Sequence, residues 1–510
     1  MPTIPGALRS TAGRTPDARA LIFGDRTYTY RELDDVVDRW ASVLRGHGLG
    51  RGDRLALMST NSDFFVIAFY AALRLGAIVI PVNPASAPPE VDHVVEDSGA
   101  SLLLVAPTAA DNVRRGDDDS LPSCLRTVLS LGAAEGLDDL TAAAREASPL
   151  EDDDRVTGSD DALILYTSGT TGKPKGALFD HHRAWCVTTS MIATLGMRPG
   201  DRFLHVAPLY HAAELGIMLL PGTLIGATHV ILPAFDPAAV LRTMAEERIT
   251  MFFGVPTMFQ LMVRALPAVG ELDLSAWRTG LFGAAPMPAA AVQQLVQAWP
   301  QVEFMQLCGQ TEGGPTGIYS THEQVVARPD ASGRQGVLLT EARVVDAQGR
   351  DVAPGEAGEL LLRADSVMKG YWNNPAATAA AFLDGWLRTG DIATVDADGY
   401  LTLVDRLKDL IISGGRNVYS IEVENVIAGH PDVVDAAVVA RPHPEYGESI
   451  VAVVALGEGA SLTLAELREY CRPFISDYKI PHHLVVAPIP RNVSGKILKH
   501  ELRDQVLAGD

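Results

Sequence analysis

Short apolar runs that end near glycine or proline, alternating with segments of helical spacing, set the strongest limit on what this chain can fold into. Arg54–Met58, Ala77–Val82, Phe203–Ala207, Thr228–Leu232, Met251–Gly254 and Thr279–Gly283 read as buried strands. Tyr30–Leu44, with Leu33, Val36, Val37, Trp40 and Leu44 on one face, reads as a helix. That alternation predicts an α/β fold, a large N-terminal domain of α/β layers. After Leu338 the runs become short alternating strands (Glu341–Asp346, Gly358–Arg363, Ile392–Asp396, Tyr400–Val404), which predict a β-rich subdomain. From Arg406 onward the order is helix Ser420–Ala428, strands Ala436–Ala440 and Ile450–Ala455, helix Leu464–Phe474 and strand Leu484–Ala487. This predicts a small α+β C-terminal domain of about 100 residues. The boundary is expected at Asp405–Lys408, dividing the chain into residues 1–405 and 406–510.

At 510 residues the chain can bury a sizeable core, and its 47% hydrophobic and 21% charged content is that of a folded globular protein. Two long apolar runs are interrupted, Phe64–Val82 by Arg74 and Leu215–Leu232 by Pro221, Gly222, Gly226 and His229. Both read as core, and no membrane span is expected. The net charge of −21 repels phosphate backbones and anionic lipid, which argues against nucleic acid as a partner. Four cysteines, with no Cys-x-x-Cys pair and no histidine at metal-ligand spacing, are expected to be reduced thiols in a cytoplasmic protein without a secretory signal. The stretch from Ala106 to Asp161, with acidic patches at Asp117–Asp119 and Glu151–Asp154, is expected to form surface connections.

The densest chemical signal follows the strand Ala162–Tyr166. Thr167, Ser168, Gly169, Thr170, Thr171, Gly172, Lys173, Pro174, Lys175 and Gly176 bring four hydroxyls, three glycines and two lysines into ten positions. Backbone N–H groups, hydroxyls and ammonium groups on such a loop can converge on a polyphosphate. It is not a P-loop, because Pro174 follows Lys173 and no helical run begins there.

The stretch Tyr166–Gly176 resembles the AMP-binding signature of the adenylate-forming superfamily, in particular its acyl-CoA synthetase and fatty-acid or aryl-CoA ligase branch. Further segments resemble that family in its order: Gly283-Ala-Ala-Pro-Met-Pro288, Gly309-Gln-Thr-Glu312, Gly358-Glu359, Gly370-Tyr-Trp372, Arg388-Thr-Gly-Asp391, Asp405-Arg-Leu-Lys-Asp409, Ser413-Gly-Gly-Arg-Asn-Val418 and Ser494-Gly-Lys496. The resemblance spans Tyr30 to Lys496.

It implies the adenylate-forming fold, with a mobile C-terminal domain, and a set of roles. Thr167, Ser168, Gly169, Thr170, Thr171, Gly172, Lys173, Lys175, Gly283, Ala284, Ala285 and Gln310 would bind the nucleotide, while Glu312 and Thr167 would hold Mg²⁺, a hard cation suited to oxygen ligands. Thr311 would act beside Glu312 at the α-phosphate. Asp391 would accept the ribose hydroxyls, Arg406 would contact ribose or phosphate, and Lys408 would be the hinge. Lys496 would bridge the carboxylate and the α-phosphate as charge builds. His211, in Pro208-Leu209-Tyr210-His211, would line the carboxylate pocket, and Gly414-Gly415 would let a pantetheine arm pass close to backbone. By composition alone Thr311-Glu312 would be a surface pair, Asp391 a turn aspartate, and Arg406 and Lys408 linker charges. Those assignments rest on the resemblance.

Relatives that activate amino acids carry an aspartate near the Pro208–Ala213 segment, and none is present here, which favours an acid without an α-amino group. Cys308 stands where an aromatic residue commonly packs on adenine, so adenine packing is expected to be differently arranged. Pocket walls are expected in His205–Leu220, Phe252–Met258 and Gly280–Ala285. The expected activity is that of a carboxylate-CoA ligase using ATP, Mg²⁺ and coenzyme A, through an acyl adenylate and with release of pyrophosphate. An acyl-AMP ligase that loads a carrier-protein thiol, a non-catalytic adenylate-binding protein, and a homodimeric state all stay open at this level.

Overall fold

Thr29 begins the first long helix because its side chain and that of Glu32 cap each other's backbone N–H groups, and the helix runs Tyr30–Gly46. It covers a second helix, Asp63–Arg74, in which Phe65, Phe69, Tyr70 and Leu73 are fully enclosed. The charge that interrupts this apolar run is accommodated in the core. Arg74 ends the helix 2% exposed, with its guanidinium donating to Asp34 at 2.5 Å and Asp38 at 2.8 Å. A lone buried cation would cost several kcal/mol, and two carboxylates on the covering helix offset that.

The computed structural model describes residues 2–113, 121–150, 156–167, 173–285, 287–491 and 497–508. Ser168, Gly169, Thr170, Thr171, Gly172 and Lys496, along with both acidic patches, lie outside the described residues.

Two large sheets stack with helices between and around them. The first has nine strands in the order Gln335–Gly336, Gly317–Ser320, Glu303–Gly309, Thr279–Gly283, Met251–Gly254, Arg202–His205, Thr228–Ile231, Arg19–Phe23 and Arg26–Thr29. Its centre is parallel and buried on both faces, which accounts for the continuous apolar runs. The second has eight strands and places Asp161–Thr167 between Ile78–Val82 and Lys175–Asp180. Strand Thr127–Ser130 adds to its parallel edge, with Leu129 and Ser130 buried. The stretch expected to be surface connection from Ala106 to Asp161 therefore contributes a strand and the helix Leu140–Glu146. The run is too short and too polar for periodicity to mark it, and edge pairing to Leu102–Val105 decides its conformation.

A five-stranded antiparallel sheet, with Ala357–Arg363 and Trp386–Val395 at its centre and Glu341–Val345 at one edge, forms the β-rich subdomain. Its last strand, Leu401–Arg406, puts Arg406 opposite Asp391. The C-terminal unit packs helices Ser420–Ile427 and Leu464–Cys471 on a sheet built around the long hairpin Val433–His443 and Gly447–Leu456. Among the described residues no helix is long and apolar enough to cross a membrane.

Candidate active site

The signature loop joins two antiparallel strands. Thr167 ends Asp161–Thr167 in register with Lys175, which opens Lys175–Asp180, and the Thr167 hydroxyl reaches the Lys175 carbonyl at 3.4 Å. No helix follows Lys173, as its sequence requires, so the loop is a hairpin connection rather than a strand-to-helix turn. His93 holds the Pro174 carbonyl at 3.0 Å, and Tyr166 donates to Asp97 at 2.5 Å, which fixes both feet of the loop.

Lys175 and Glu312 meet through Tyr371, whose place in the Gly370-Tyr-Trp372 segment carries no sign of this role. Tyr371, on the two-residue strand Gly370–Tyr371 beside Lys175–Asp180, donates its hydroxyl to Glu312 Oε1 at 2.8 Å. Its ring lies under the Lys175 ammonium, Nζ 4.5 Å from the centroid. Burial and the Glu312 carboxylate push the Tyr371 phenol well above its ordinary value, so it stays a donor. Thr311 and Glu312 form a single turn after strand Glu303–Gly309, and both are half-buried. A carboxylate and a hydroxyl offered by Glu312 and Thr167 suit Mg²⁺ in chemistry.

The floor beside them is strained. Gly283 and Gly309 end adjacent strands where a Cβ would lie 2.2 Å from the Leu307 carbonyl oxygen and 2.3 Å from that of Pro315. Only glycine permits that approach. Ala284 then takes φ +66°, a left-handed conformation costing on the order of 1 kcal/mol for a residue with a Cβ, and it is exposed at the strand end. Strain held at the open end of a central strand is characteristic of a ligand-binding surface.

Asp391 pairs with Arg406 at 3.1 Å across neighbouring strands. Cys308, half-buried, turns toward the β-rich subdomain and packs beside Ile318, Val344 and Leu360; burial, with Asp391 nearby, pushes its thiol up to about 12. Lys408 follows on an exposed turn. Partial burial, with Arg406, Arg503 and Lys499 nearby, pushes its ammonium down to about 8 against the pull of Asp409. Around this turn Arg503 binds Asp409, and Asp405 accepts from the Ser420 hydroxyl at 2.9 Å. The junction is thus tied by polar bonds rather than by an apolar seam. Gly414 and Gly415, at φ +58° and +74°, form the exposed two-residue tip joining strands Ile411–Ser413 and Arg416–Val418, with Gly414 N–H donating to the Tyr446 carbonyl. These contacts keep that tip with the C-terminal unit and do not join it to Glu312.

On the other side His211 sits against Tyr210, ring centroids 4.7 Å apart. Burial pushes His211 down to about 4, and its Nε2 is buried without a partner among the described residues. It leads into a π-helix, Glu214–Leu219, whose Leu215 and Gly216, with Ala212, Leu165, Phe179, Val187 and Pro315, line a narrow apolar cavity of about 20 Å³.

The sequence reading put His205 in a pocket wall, but the structure locks it into a fully buried chain instead. Glu214 Oε1 is 2.5 Å from His205 Nδ1, His205 Nε2 is 2.8 Å from His229 Nδ1, His229 Nε2 is 3.2 Å from the Thr223 hydroxyl, and that hydroxyl donates to the Leu219 carbonyl at 2.9 Å. Burial pushes Glu214 well above the carboxylate range, His205 down to about 3 and His229 well below its ordinary value. Burial thus favours the neutral form of each of the three. The proton order that satisfies each bond has Glu214 donating to His205, His205 to His229, and His229 to Thr223. Two polar residues in apolar runs, Glu214 and His229, were the available signal.

Comparison with known proteins agrees with this geometry. Residues 8–372 match the family model "AMP-binding enzyme", and residues 422–496 match "AMP-binding enzyme C-terminal domain". The chain is 39% identical over 494 residues to a feruloyl-CoA synthase of an Amycolatopsis species, covering 96% of each chain. It is 36% identical over 514 residues to the long-chain-fatty-acid–CoA ligase FadD13 of Mycobacterium tuberculosis, covering 100% of this chain and 99% of that one. The crystal structure of ATP-bound MatB from Rhodopseudomonas palustris superposes with a TM-score of 0.89 at 28% identity, covering 99% of both. This chain belongs to the AMP-binding enzyme family, as an AMP-forming acid–thiol ligase that uses ATP, Mg²⁺ and coenzyme A and works through an acyl adenylate.

Proposed function

We propose that the acid activated here is apolar and lacks an α-amino group, of the aryl or long alkyl kind for which the two curated relatives are named. One observation carries this reading. Glu214, the one acidic side chain of residues 208–220, is fully buried and engaged with His205, so it is not presented to a substrate ammonium. Leu165, Phe179, Val187 and Leu215 line a small apolar void beside this segment.

In the first half-reaction a carboxylate oxygen attacks the α-phosphorus of ATP, the bond to the β-phosphate oxygen breaks, and pyrophosphate leaves. The loop Thr167–Lys175 binds the phosphates, and Glu312 and Thr167 would hold Mg²⁺, which would supply positive charge to the phosphates. Lys496 stabilises the charge that builds on the α-phosphate, and Asp391, released from Arg406, accepts the ribose hydroxyls. Tyr371 aims the Glu312 carboxylate by donating to its Oε1. No enzyme nucleophile is needed, because positioning and charge stabilisation do the work. In the second half-reaction the C-terminal domain, residues 406–510, turns about Lys408 and brings Gly414-Gly415 to the cleft for the thiol of coenzyme A. The four free cysteines, with a cosubstrate abundant inside cells, support a cytoplasmic location.

The test is pyrophosphate release across acetate, octanoate, palmitate, benzoate, ferulate and phenylalanine. Apolar acids should turn over and phenylalanine should not; turnover of phenylalanine above the rest would overturn the reading. Discharge to coenzyme A in preference to a carrier protein is expected with the acid that proves best.

A further inference from the structure

Sequence spacing was read as leaving every cysteine without a histidine at ligand distance, and Cys186 contradicts this. His182 and Cys186 stand one turn apart on the helix His181–Thr194, with Sγ 3.7 Å from His182 Nε2. Asp365, from the loop after strand Ala357–Arg363, brings a carboxylate oxygen to the same point, so that one ligand atom of each residue lies within 4.8 Å of the others. Two ligand atoms of a tetrahedral zinc ion, with bonds of about 2.3 Å to sulfur and 2.0 Å to nitrogen, are about 3.5 Å apart. The Cys186–His182 separation already matches that edge to within tenths of an ångström. Cys186 and Asp365 also line an open cavity of about 490 Å³, which gives an ion a path in and leaves space for a water as fourth ligand. A nitrogen, sulfur and carboxylate set selects a borderline cation such as Zn²⁺ over Mg²⁺. The neighbouring charges Arg183 and Asp180 are paired with each other at 2.6 Å.

The loop that carries Asp365 leads directly to the Mg²⁺ carboxylate. The Ser366 hydroxyl donates to the Gly313 carbonyl at 3.2 Å, and the Ser366 carbonyl oxygen fills the space a Cβ on Gly314 would need. Val367 accepts from Arg183 at 2.9 Å, and the Met368 N–H donates to the Glu312 carbonyl at 2.9 Å. An ion joining Asp365 to the helix would therefore fix the segment 365–368 against the turn that aims Glu312.

We infer that His182, Cys186 and Asp365 form a regulatory site for a zinc-class divalent cation, whose occupancy restrains the segment 365–368 and slows adenylation. Binding replaces the Cys186 S–H bond with a sulfur–metal bond and releases the proton to solvent. A simple Cys–His hydrogen bond accounts for the 3.7 Å contact but not for the carboxylate that closes the third side.

Two measurements on the full-length, metal-free protein test this. Titration with Co²⁺ should develop thiolate-to-cobalt absorption that saturates at one ion per chain, is discharged by Zn²⁺ and is lost in Cys186→Ser. In ATP–pyrophosphate exchange with excess Mg²⁺, micromolar Zn²⁺ should slow the unmodified enzyme by roughly 5-fold or more. It should leave Cys186→Ser and Asp365→Asn at their metal-free rates, which match that of the parent. Asp365 is exposed, so its variant remains informative if Cys186→Ser folds poorly. Absorption that is absent, or that persists in Cys186→Ser because Cys124, Cys308 or Cys471 supplies it, overturns the site. Binding without slowing, or equal slowing in the variants, overturns the regulatory role. The cobalt measurement does not depend on the adenylation reading, so failure of one is distinguishable from failure of the other.

Discussion

The acyl side and the nucleotide side of this cleft solve opposite problems. On the proposed acyl side the polar groups are withdrawn from the surface: Glu214, His205 and His229, whose neutral forms burial favours, pass hydrogen bonds to one another in the interior. On the nucleotide side the charges are kept and half-exposed, each with a partner a ligand can replace: Lys175 over Tyr371, Glu312 under the Tyr371 hydroxyl, Asp391 against Arg406. Exchanging one polar partner for another is cheap, whereas uncovering an unpaired buried charge costs several kcal/mol. One side is thus built to accept and release a charged cosubstrate, and the other to hold a fixed shape. If the division is real, variants on the nucleotide side should slow all acids equally, and variants on the acyl side should change the ranking of acids.

The largest effect is expected from Lys496→Ala. A donor aimed at charge developing in the transition state is worth about 10²–10³-fold. Adenylation should fall by at least that factor for every acid, while transfer from a pre-made acyl adenylate to coenzyme A stays near the parent rate. Equal losses in both half-reactions would remove Lys496 from the first.

Glu312→Gln comes next, because a neutral amide is a poor ligand for Mg²⁺. The magnesium concentration for half-maximal pyrophosphate release should rise by on the order of 10–100-fold, uniformly across acids. Tyr371→Phe, which removes only the bond to Glu312, should show the same signature at about 10-fold or less. A change in acid ranking in either variant would break the division between the two sides.

Gly216→Ala probes the other side. Its Cβ would stand 3.0 Å from Pro315 Cδ and 3.4 Å from Val187 Cγ1, closing the cavity they share. A methyl group in such a pocket discriminates by about 10-fold or somewhat more. Long or aryl acids should lose that factor in kcat/KM relative to acetate, with the requirement for magnesium unchanged.

The two sides also differ in how much of them the residue order reveals. Nucleotide-side chemistry depends on residue types clustered along the chain, such as the hydroxyls and glycines of 167–176 or Thr311-Glu312, so spacing alone suggests where to look. The alternation of apolar runs likewise yields the central strands, since strands buried on both faces must be apolar throughout. Contacts between distant segments are less legible. Tyr371 reaches Glu312 from 59 residues away, and His205, Glu214 and His229 come together only because adjacent parallel strands place His205 two positions after Phe203, the partner of His229 in register. The strand Thr127–Ser130 was missed for a similar reason: its conformation is set by a neighbouring edge rather than by its own pattern.

The smallest effect on activity, and the most direct test of the neutral interior, is expected from Glu214→Gln. His205 and His229 have folded pKa values below the unfolded 6.5, so they give stability that is complete above pH 6.5 and is lost as pH falls toward about 3. Glu214 is raised above its unfolded 4.5, so its contribution is complete below pH 4.5 and is lost as pH rises toward its folded value. Between pH 6.5 and 8 only the Glu214 slope remains in this chain, at most about 1.4 kcal/mol per pH unit for one proton. Glutamine still donates to His205 Nδ1 and has no proton to lose. Urea unfolding of the parent should therefore weaken over that interval relative to Glu214→Gln, while both should weaken alike on acidification toward pH 5 through the histidines. Parallel curves from pH 6.5 to 8 would mean that Glu214 is ionised in the folded protein, and the acyl side would then hold the buried charge that the comparison denies it.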